Sequence, residues 1–380
     1  MGFLGFTWYY VVVFLFVLTV LVYVHEWGHY WVARRNGVRV EVFSIGFGPE
    51  IFGWTNAAGT RWKFSMVPLG GYVKMFGENI EDEETGEPVE LTLEEQAVSF
   101  HHKTLGQRAA IVFAGPAVNY LFAVLVFTAL AIFQGSAHPL AAVGDIQVNS
   151  AAEKAGFQSG DRIIAVNGKE IRLFSELRNI VSVNADKKMS FHIIRDGNRQ
   201  ILLATPKSTL RTNESGKGRT VGLLGVSPDP KQIDHEVHNP ASALWVGVKQ
   251  TVNLTVNILV YVGDMVSGSR STDDLGGPIR IAQISGDMAQ KGIEYVLLLM
   301  AMLSVNLGLI NLFPIPVLDG GRLVFYAAEA IRGKPLGPRV QEYSFRFGLI
   351  LVLVLMVFVT WNDIVKSVLP HFEKLKAFFT

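Results

Sequence analysis

Apolar residues in this chain come in long blocks. One block runs from about Phe3 to Ala33, and a second, "AAIVFAGPAVNYLFAVLVFTALAIF", covers 109 to 133. A third lies near Tyr295 to Phe313 and continues into "PIPVLDGGRLVFYAAEAI"; the fourth is "FGLILVLVLMVFVTW", 347 to 361. Each reaches or approaches the roughly 20 residues that cross about 30 Å of hydrocarbon at about 1.5 Å per residue. The pattern predicts four transmembrane helices. A further run, "ALWVGVKQTVNLTVNILVYVGDMV" (243 to 266), is interrupted by Lys249, Gln250, Thr251 and Asn253. It is expected to be an amphipathic helix on the membrane surface or against the bundle.

Between the apolar blocks the period changes from helical to alternating. "VRVEVFSIGFGPEIFGW" and "TRWKFSMVPLGGYVKMFG", within 38 to 78, alternate as strands yet are very apolar. Non-helical backbone at membrane depth survives only where protein shields it or it lines a cavity. This predicts a β-rich loop dipping toward the bilayer beside the first helix. The acidic run "ENIEDEETGEPVE" (78 to 90) reads as a solvated loop. Residues 140 to 230 carry strand runs punctuated by Gly-Asp and Asn-Gly signals, a helical stretch at "FSELRNIV" and a hairpin turning at Asp196-Gly197. Its segment "AEKAGFQSGDRIIAVNG" resembles a PDZ domain of the bacterial protease-associated kind. "VGLLGVSP" (221 to 228) would supply a carboxylate-binding loop and a strand, and such domains bind peptides by strand addition.

The fold expected is a polytopic α-helical membrane protein of about four transmembrane helices, with a membrane-associated β-rich loop and an inserted α+β PDZ domain. The boundaries are 1–36 for the first helix, 37–104 for the β-rich loop and the cytoplasmic segment after it, and 105–136 for the second helix. The PDZ domain takes 140–230, the amphipathic segment 231–290, the third transmembrane segment 291–330 and the fourth helix 344–368.

Composition agrees with a membrane chain: apolar residues are 49% and charged residues 18%. A net charge of +1 gives no pull toward nucleic acid. Zero cysteines exclude disulfides and thiolate metal sites, leaving His and carboxylate ligands for any zinc. No basic n-region precedes the first apolar run, so it is expected to be retained as a span and not cleaved as a signal peptide. Arg34, Arg35, Arg39, Lys103 and Arg108, then Arg322, Arg332, Lys334, Arg339 and Arg346, fall on one side of a four-span chain. That side is expected to be cytoplasmic. Both termini and the 137–290 region then lie opposite, which in a bacterium is the periplasmic face of the inner membrane.

Candidate chemistry begins at the cytoplasmic end of the first span. His25-Glu26-Trp27-Gly28-His29 fits H-E-x-x-H. On a helix i and i+4 share a face, so two imidazoles can hold one Zn²⁺ while the glutamate reaches an activated water. The competing reading is two histidines satisfied in a core, but ionisable groups in a transmembrane helix need an energetic reason, and a metal supplies one. Catalytic zinc takes a third protein ligand. Histidines 101, 102, 138, 192, 235, 238 and 371 all lie outside the apolar spans. Asp319 is the carboxylate at the edge of a later span, after the helix breakers Pro314 and Pro316 and before Gly320 and Gly321. Its competing reading is a helix N-cap. His25 and Asp319 each follow an apolar run that travels toward the basic side, so they fall at similar depth.

"HEWGHYWVAR", "SIGFGP", "PLGGYVKM", "FAGPAVN" and "NLFPIPVLDGGRL", in that order and with the PDZ-like region, cover nearly the whole chain. Together they resemble the site-2 protease family of intramembrane zinc metalloproteases, most closely its bacterial regulator-of-sigma-E type, here with one PDZ domain. The resemblance implies His25, His29 and Asp319 as zinc ligands and Glu26 as catalytic acid/base. It implies that Asn311 and the strand at Gly70, Gly71 and Tyr72 hold an unwound substrate. It further implies single-span membrane substrates already clipped by another protease, such as anti-sigma factors, and remnant signal peptides. A non-catalytic PDZ-bearing adaptor or chaperone is the alternative, and it predicts a missing catalytic residue. A metal transporter would instead string polar residues across several spans. The partners expected are membrane substrates and lipid, with no nucleic acid.

Overall fold

A computed structural model describes residues 3–78, 91–212, 218–269 and 276–365. Residues 79–90 of the expected acidic loop, His371 and the end of the fourth span at 366–368 lie outside the described residues. The chain opens with α1 (Phe3–Arg35), whose last turn carries Arg34 and Arg35, where cations complement the helix dipole. It stops at Gly37, which takes φ +71 while the Val38 amide donates back to the Ala33 carbonyl at 3.0 Å. Two antiparallel strands follow, β1 (Val40–Thr55) and β2 (Arg61–Met75). Their turn is closed by the Asn56 carboxamide oxygen, which accepts from the amides of Ala58 and Thr60 at 3.0 Å each.

The pairing of this hairpin is unusual. The first half of β1 is flanked by both ends of β2: Phe43 is opposite Val73 and also opposite Trp62. Residues 71–75 therefore pair with 40–45 on one side, and no strand pairs on their other side among the described residues. The base of the hairpin is buried with Ala33, Val38, Phe100 and Ile111, while Ile51 and Phe52 at the far end are exposed.

The short α2 (Leu93–Val98) leads into α3 (Leu105–Gln134), which runs antiparallel to α1: Ile111 lies beside His29 and Asn119 beside His25. The β-rich middle of the chain comprises β3 (Ser136–Pro139), β4 (Val143–Ile146), α4 (Ala151–Lys154), β5 (Arg162–Val166), β6 (Lys169–Glu170), α5 (Phe174–Ser182), β7 (Met189–Arg195), β8 (Asn198–Ala204), β9 (Lys207–Thr212), β10 (Gly218–Leu223), β11 (Val226–Pro228) and β12 (Ile233–Glu236). Five helices follow among the described residues: α6 (Pro240–Val266), α7 (Pro278–Lys291), α8 (Ile293–Asn311), α9 (Asp319–Arg332) and α10 (Pro338–Asp363).

The chain divides into two units, residues 1–127, 247–256 and 272–380 in one, and 128–246 and 257–271 in the other. In the first, α8 runs parallel to α1, with Val296 and Met300 packed against Val17 and Leu21. α7 is pinned to α1 by the Tyr10 hydroxyl, which donates to Asp287 Oδ1 at 2.8 Å and accepts from Gln290 Nε2 at 3.0 Å. In the second, β6-β5-β7-β8 form an antiparallel sheet packed on α5 through Phe191, Ile193, Leu177 and Val181. Asp196 and Gly197 turn β7 into β8 with φ of 51 and 82, the signs a type I′ turn requires.

Among the described residues five helices are long and apolar enough to cross a membrane: Trp8–Arg35, Leu105–Gln134, Pro240–Val266, Ile293–Asn311 and Arg339–Asp363. The expectation was about four. The addition is α6, with the lowest mean hydropathy of the five at 1.2. Its polar residues do not break it, because Thr251 and Thr255 donate to the carbonyls of Gly247 and Thr251 at 2.9 and 2.8 Å.

Within the β-rich unit, Asp161 of "SGDR" is a structural residue. It is 1% exposed and accepts from Arg195 Nε and Nη2, both at 2.7 Å, and from the Gln158 amide at 2.8 Å. Removing one partner of a buried pair strands the other. Asp161→Ala is expected to lower local stability by about 2–3 kcal/mol. Hydrogen exchange should then be roughly 30- to 150-fold faster in β5 and β7, with α1 and α3 unchanged.

Candidate metal centre

His25 and His29 occupy one face of α1, four residues apart and both buried, with ring centroids 4.8 Å apart and planes at 84°. They can sit this close to α3 only because both helices lack side chains at the contact. A Cβ on Gly28 would meet the Ala114 carbonyl at 2.5 Å, and a Cβ on Gly115 would fall onto the His29 ring and within 2.8 Å of His25 Cε1. Pro116, inside α3, follows this contact directly.

The third element is the break after α8. Prolines 314 and 316 stop the helix, and the chain reverses so that α9 starts at Asp319. Gly320 and Gly321 permit the reversal: Cβ atoms there would collide with the carbonyls of Leu312, Phe313 and Ile315. Asp319 is thus held at the first turn of α9, pointing at the histidines.

The three donor atoms form a nearly equilateral triangle. His25 Nε2 is 3.2 Å from His29 Nε2 and 3.2 Å from Asp319 Oδ2, and His29 Nε2 is 3.4 Å from Asp319 Oδ2. Tetrahedral zinc with ligand bonds of about 2.0–2.1 Å places its ligand atoms about 3.3–3.4 Å apart. Asp319 Oδ2 is buried without a hydrogen-bond donor assigned to it. His29 Nδ1 is 2.9 Å from the Ile111 carbonyl, an acceptor only, so Nδ1 carries the proton and the Nε2 lone pair faces the triangle. The residues fit a divalent metal bound by two imidazoles and one carboxylate.

The triangle opens onto a cavity of about 1410 Å³. All eight residues singled out in the sequence line it: His25, Glu26, His29, Gly70, Gly71, Tyr72, Asn311 and Asp319. Glu26 faces β2, where a Cβ on Gly71 would lie 3.3 Å from Glu26 Cγ and 2.6 Å from the Ser44 carbonyl. Gly70 takes φ +119 with the Phe47 ring against it, and that ring stacks on Tyr72 at 6.1 Å. Asn311 Nδ2 is 3.4 Å from His25 Nε2. His101 and His102 line the cavity without joining the triangle.

Sequence reasoning assigned no role to Gly28, Gly115 or Asn119. Asn119 is fully buried, with its amide 3.1 Å from His25 Nδ1. The available signal was a polar residue in the middle of an apolar span, within the quoted "FAGPAVN".

Comparison with known proteins bears on this centre. Residues 13–355 match peptidase family M50. A protein of Agrobacterium fabrum whose name gives it a proposed zinc metalloprotease activity is 43% identical over 364 residues, 95% of this chain and 97% of its own. A similarly named protein of Rhizobium meliloti is 44% identical over 359 residues, 92% of this chain and 95% of its own. The regulator of sigma E protease of Salmonella typhi is 34% identical over 452 residues, 92% of this chain and 97% of its own.

The close approach of α1 and α3 makes a sharp prediction. Gly115→Ala places a methyl group against both imidazoles and is expected to lower bound zinc at least tenfold. His25→Ala and Asp319→Ala should lower it to background. Metal analysis of the purified protein after dialysis measures all three.

Proposed function

We propose that this chain, which belongs to peptidase family M50 and is a membrane zinc protease, hydrolyses peptide bonds inside the transmembrane segments of single-span substrates. The observation that carries the reading is the placement of the ligand triangle and Glu26 in one cavity, with His25, Glu26 and His29 on a helix of membrane length, beside the edge of β2. In the proposed assignment His25, His29 and Asp319 hold the zinc and Glu26 is the acid/base. Zinc, when bound, polarises the scissile carbonyl and lowers the pKa of water. Glu26 takes the proton of the attacking water and returns it to the leaving amine. The helical substrate must unwind first, because a helical carbonyl is already hydrogen-bonded and shielded. The edge of β2 at Gly71, Tyr72 and Val73, which lines the cavity, would hold the unwound segment by strand addition. Gly70 and Gly71 let its backbone approach, Tyr72 flanks it, and Asn311 donates to a substrate carbonyl beside His25.

Helix directions support a four-span topology. α1 and α8 run together and α3 runs against them, so α3 ends on the face where α8 begins. The chain between them must cross an even number of times. Among its described residues only α6 has the length, since α7, with 14 residues, spans about 21 Å. A lone crossing by α6 breaks the parity, which favours α6 lying along the membrane. Arg34 and Arg35 then mark the cytoplasmic face, about 14 Å along the helix from His25.

The β-rich unit, read as a single PDZ domain in the periplasm of a bacterial inner-membrane protein, would turn away substrates that still carry bulky domains. Such a filter fits a second cleavage that follows one by another protease. Anti-sigma factors and remnant signal peptides suit this role.

Glu26→Gln in membranes containing a tagged single-span substrate tests the reading. Cleavage should fall by at least a hundredfold with zinc content retained, and mass spectrometry should place the wild-type cut inside the span. Undiminished cleavage by Glu26→Gln would sink the protease assignment. Asn311→Leu should lower kcat/KM at least tenfold while leaving bound zinc unchanged.

A further inference from the structure

The two candidate ligand histidines are held from behind by different groups. His29 Nδ1 donates to the Ile111 carbonyl, which fixes its tautomer with the Nε2 lone pair toward the triangle. For His25 to offer Nε2 to the same point, its Nδ1 must also carry the proton and donate it. The group at Nδ1 is the Asn119 carboxamide, at 3.1 Å. An amide nitrogen there faces a donor and cannot accept from it. The amide oxygen, Oδ1, is meanwhile buried with no donor assigned to it. The two ends of a carboxamide have nearly the same shape. Rotating the amide half a turn brings Oδ1 to the Nδ1–H, which satisfies both.

We propose that Asn119 is a positioning residue whose side-chain oxygen accepts the His25 Nδ1–H and holds His25 in the metal-binding tautomer. Its own placement is built into the bundle. Asn119 and Ser304 are both fully buried, and the Ser304 hydroxyl of α8 donates to the Asn119 carbonyl at 2.9 Å. One asparagine thus links α8, through its backbone, to the ligand on α1, through its side chain. In metal sites, groups that accept from the far nitrogen of a ligand histidine fix its orientation and raise its basicity, and their loss typically costs about 10- to 100-fold in metal affinity.

The inference rests on the zinc reading of the triangle, and the experiment separates the two. Zinc affinity of the full-length protein in detergent is measured by competition with a chelator. Asn119→Leu keeps the branched shape and removes the acceptor; it is expected to weaken zinc binding by about 10- to 100-fold. Asn119→Asp can accept but cannot donate, and should stay within about threefold of the unsubstituted protein. Wild-type affinity in Asn119→Leu, or an equal loss in Asn119→Asp, would overturn the proposal while leaving the ligand set standing. Failure of the unsubstituted chain to bind zinc would overturn the ligand set and the proposal together. A second measurement needs no Asn119 variant: ¹⁵N spectra of histidine-labelled, metal-loaded protein, with His25 identified by its loss in His25→Gln. They should show His25 protonated at Nδ1, and protonation at Nε2 would refute the assignment.

Discussion

Ionisable side chains inside an apolar bundle are the constraint around which this protein is arranged. Two imidazoles and two carboxylates are costly in low dielectric unless each finds a partner. Placing His25, His29 and Asp319 within 3.4 Å of one another puts three of them where a single divalent cation would serve as their common partner. The geometry demanded is narrow, and much of the first unit serves it. Gly28 and Gly115 remove side chains where α1 meets α3, and Gly320 and Gly321 do so where α9 folds back on the end of α8. Each glycine gives up packing area so that backbones can approach and three ligand atoms can converge.

A second consequence concerns the sheet. The proposed reaction on helical substrates needs an unwound chain beside the acid/base, and an extended chain needs somewhere to spend its backbone hydrogen bonds. The bent pairing of β1 and β2 sets the edge of β2 at the cavity wall, and Gly71 brings that edge against Glu26 without an intervening side chain. Exposed Phe52 and Ile51 at the far end would be a liability in water. On a chain of membrane-length helices they are suited to hydrocarbon.

Much of this was legible in the residues. H-E-x-x-H at the end of an apolar run put two imidazoles on one helical face, because the i, i+4 spacing is a local property of a helix. Asp319 was legible from the Pro-x-Pro break and the acid that follows. The Asp196-Gly197 hairpin followed from turn chemistry alone. The status of α6 was not. Lys249 and Gln250 lower its hydropathy, yet they leave a continuous helix long enough to count as a span. Composition cannot say whether such a helix crosses; the directions of α1, α3 and α8, which bear on it, are tertiary facts. Gly115 and Asn119 were equally silent, since a glycine or asparagine in an apolar run has no periodicity that assigns it a partner.

The sequence by itself determined the class of the molecule, the ligand types open to it and two residues of the site on one helical turn. Hydropathy, the absence of cysteine and helical spacing are all properties of short windows. Tertiary structure decided the rest: that Asp319 closes the triangle, that Gly115 lies against the imidazoles, that Asn119 stands behind His25 and that the edge of β2 meets Glu26. Those relations join positions up to nearly three hundred residues apart. They are set by where backbones can approach closely, which depends on all the packed helices at once.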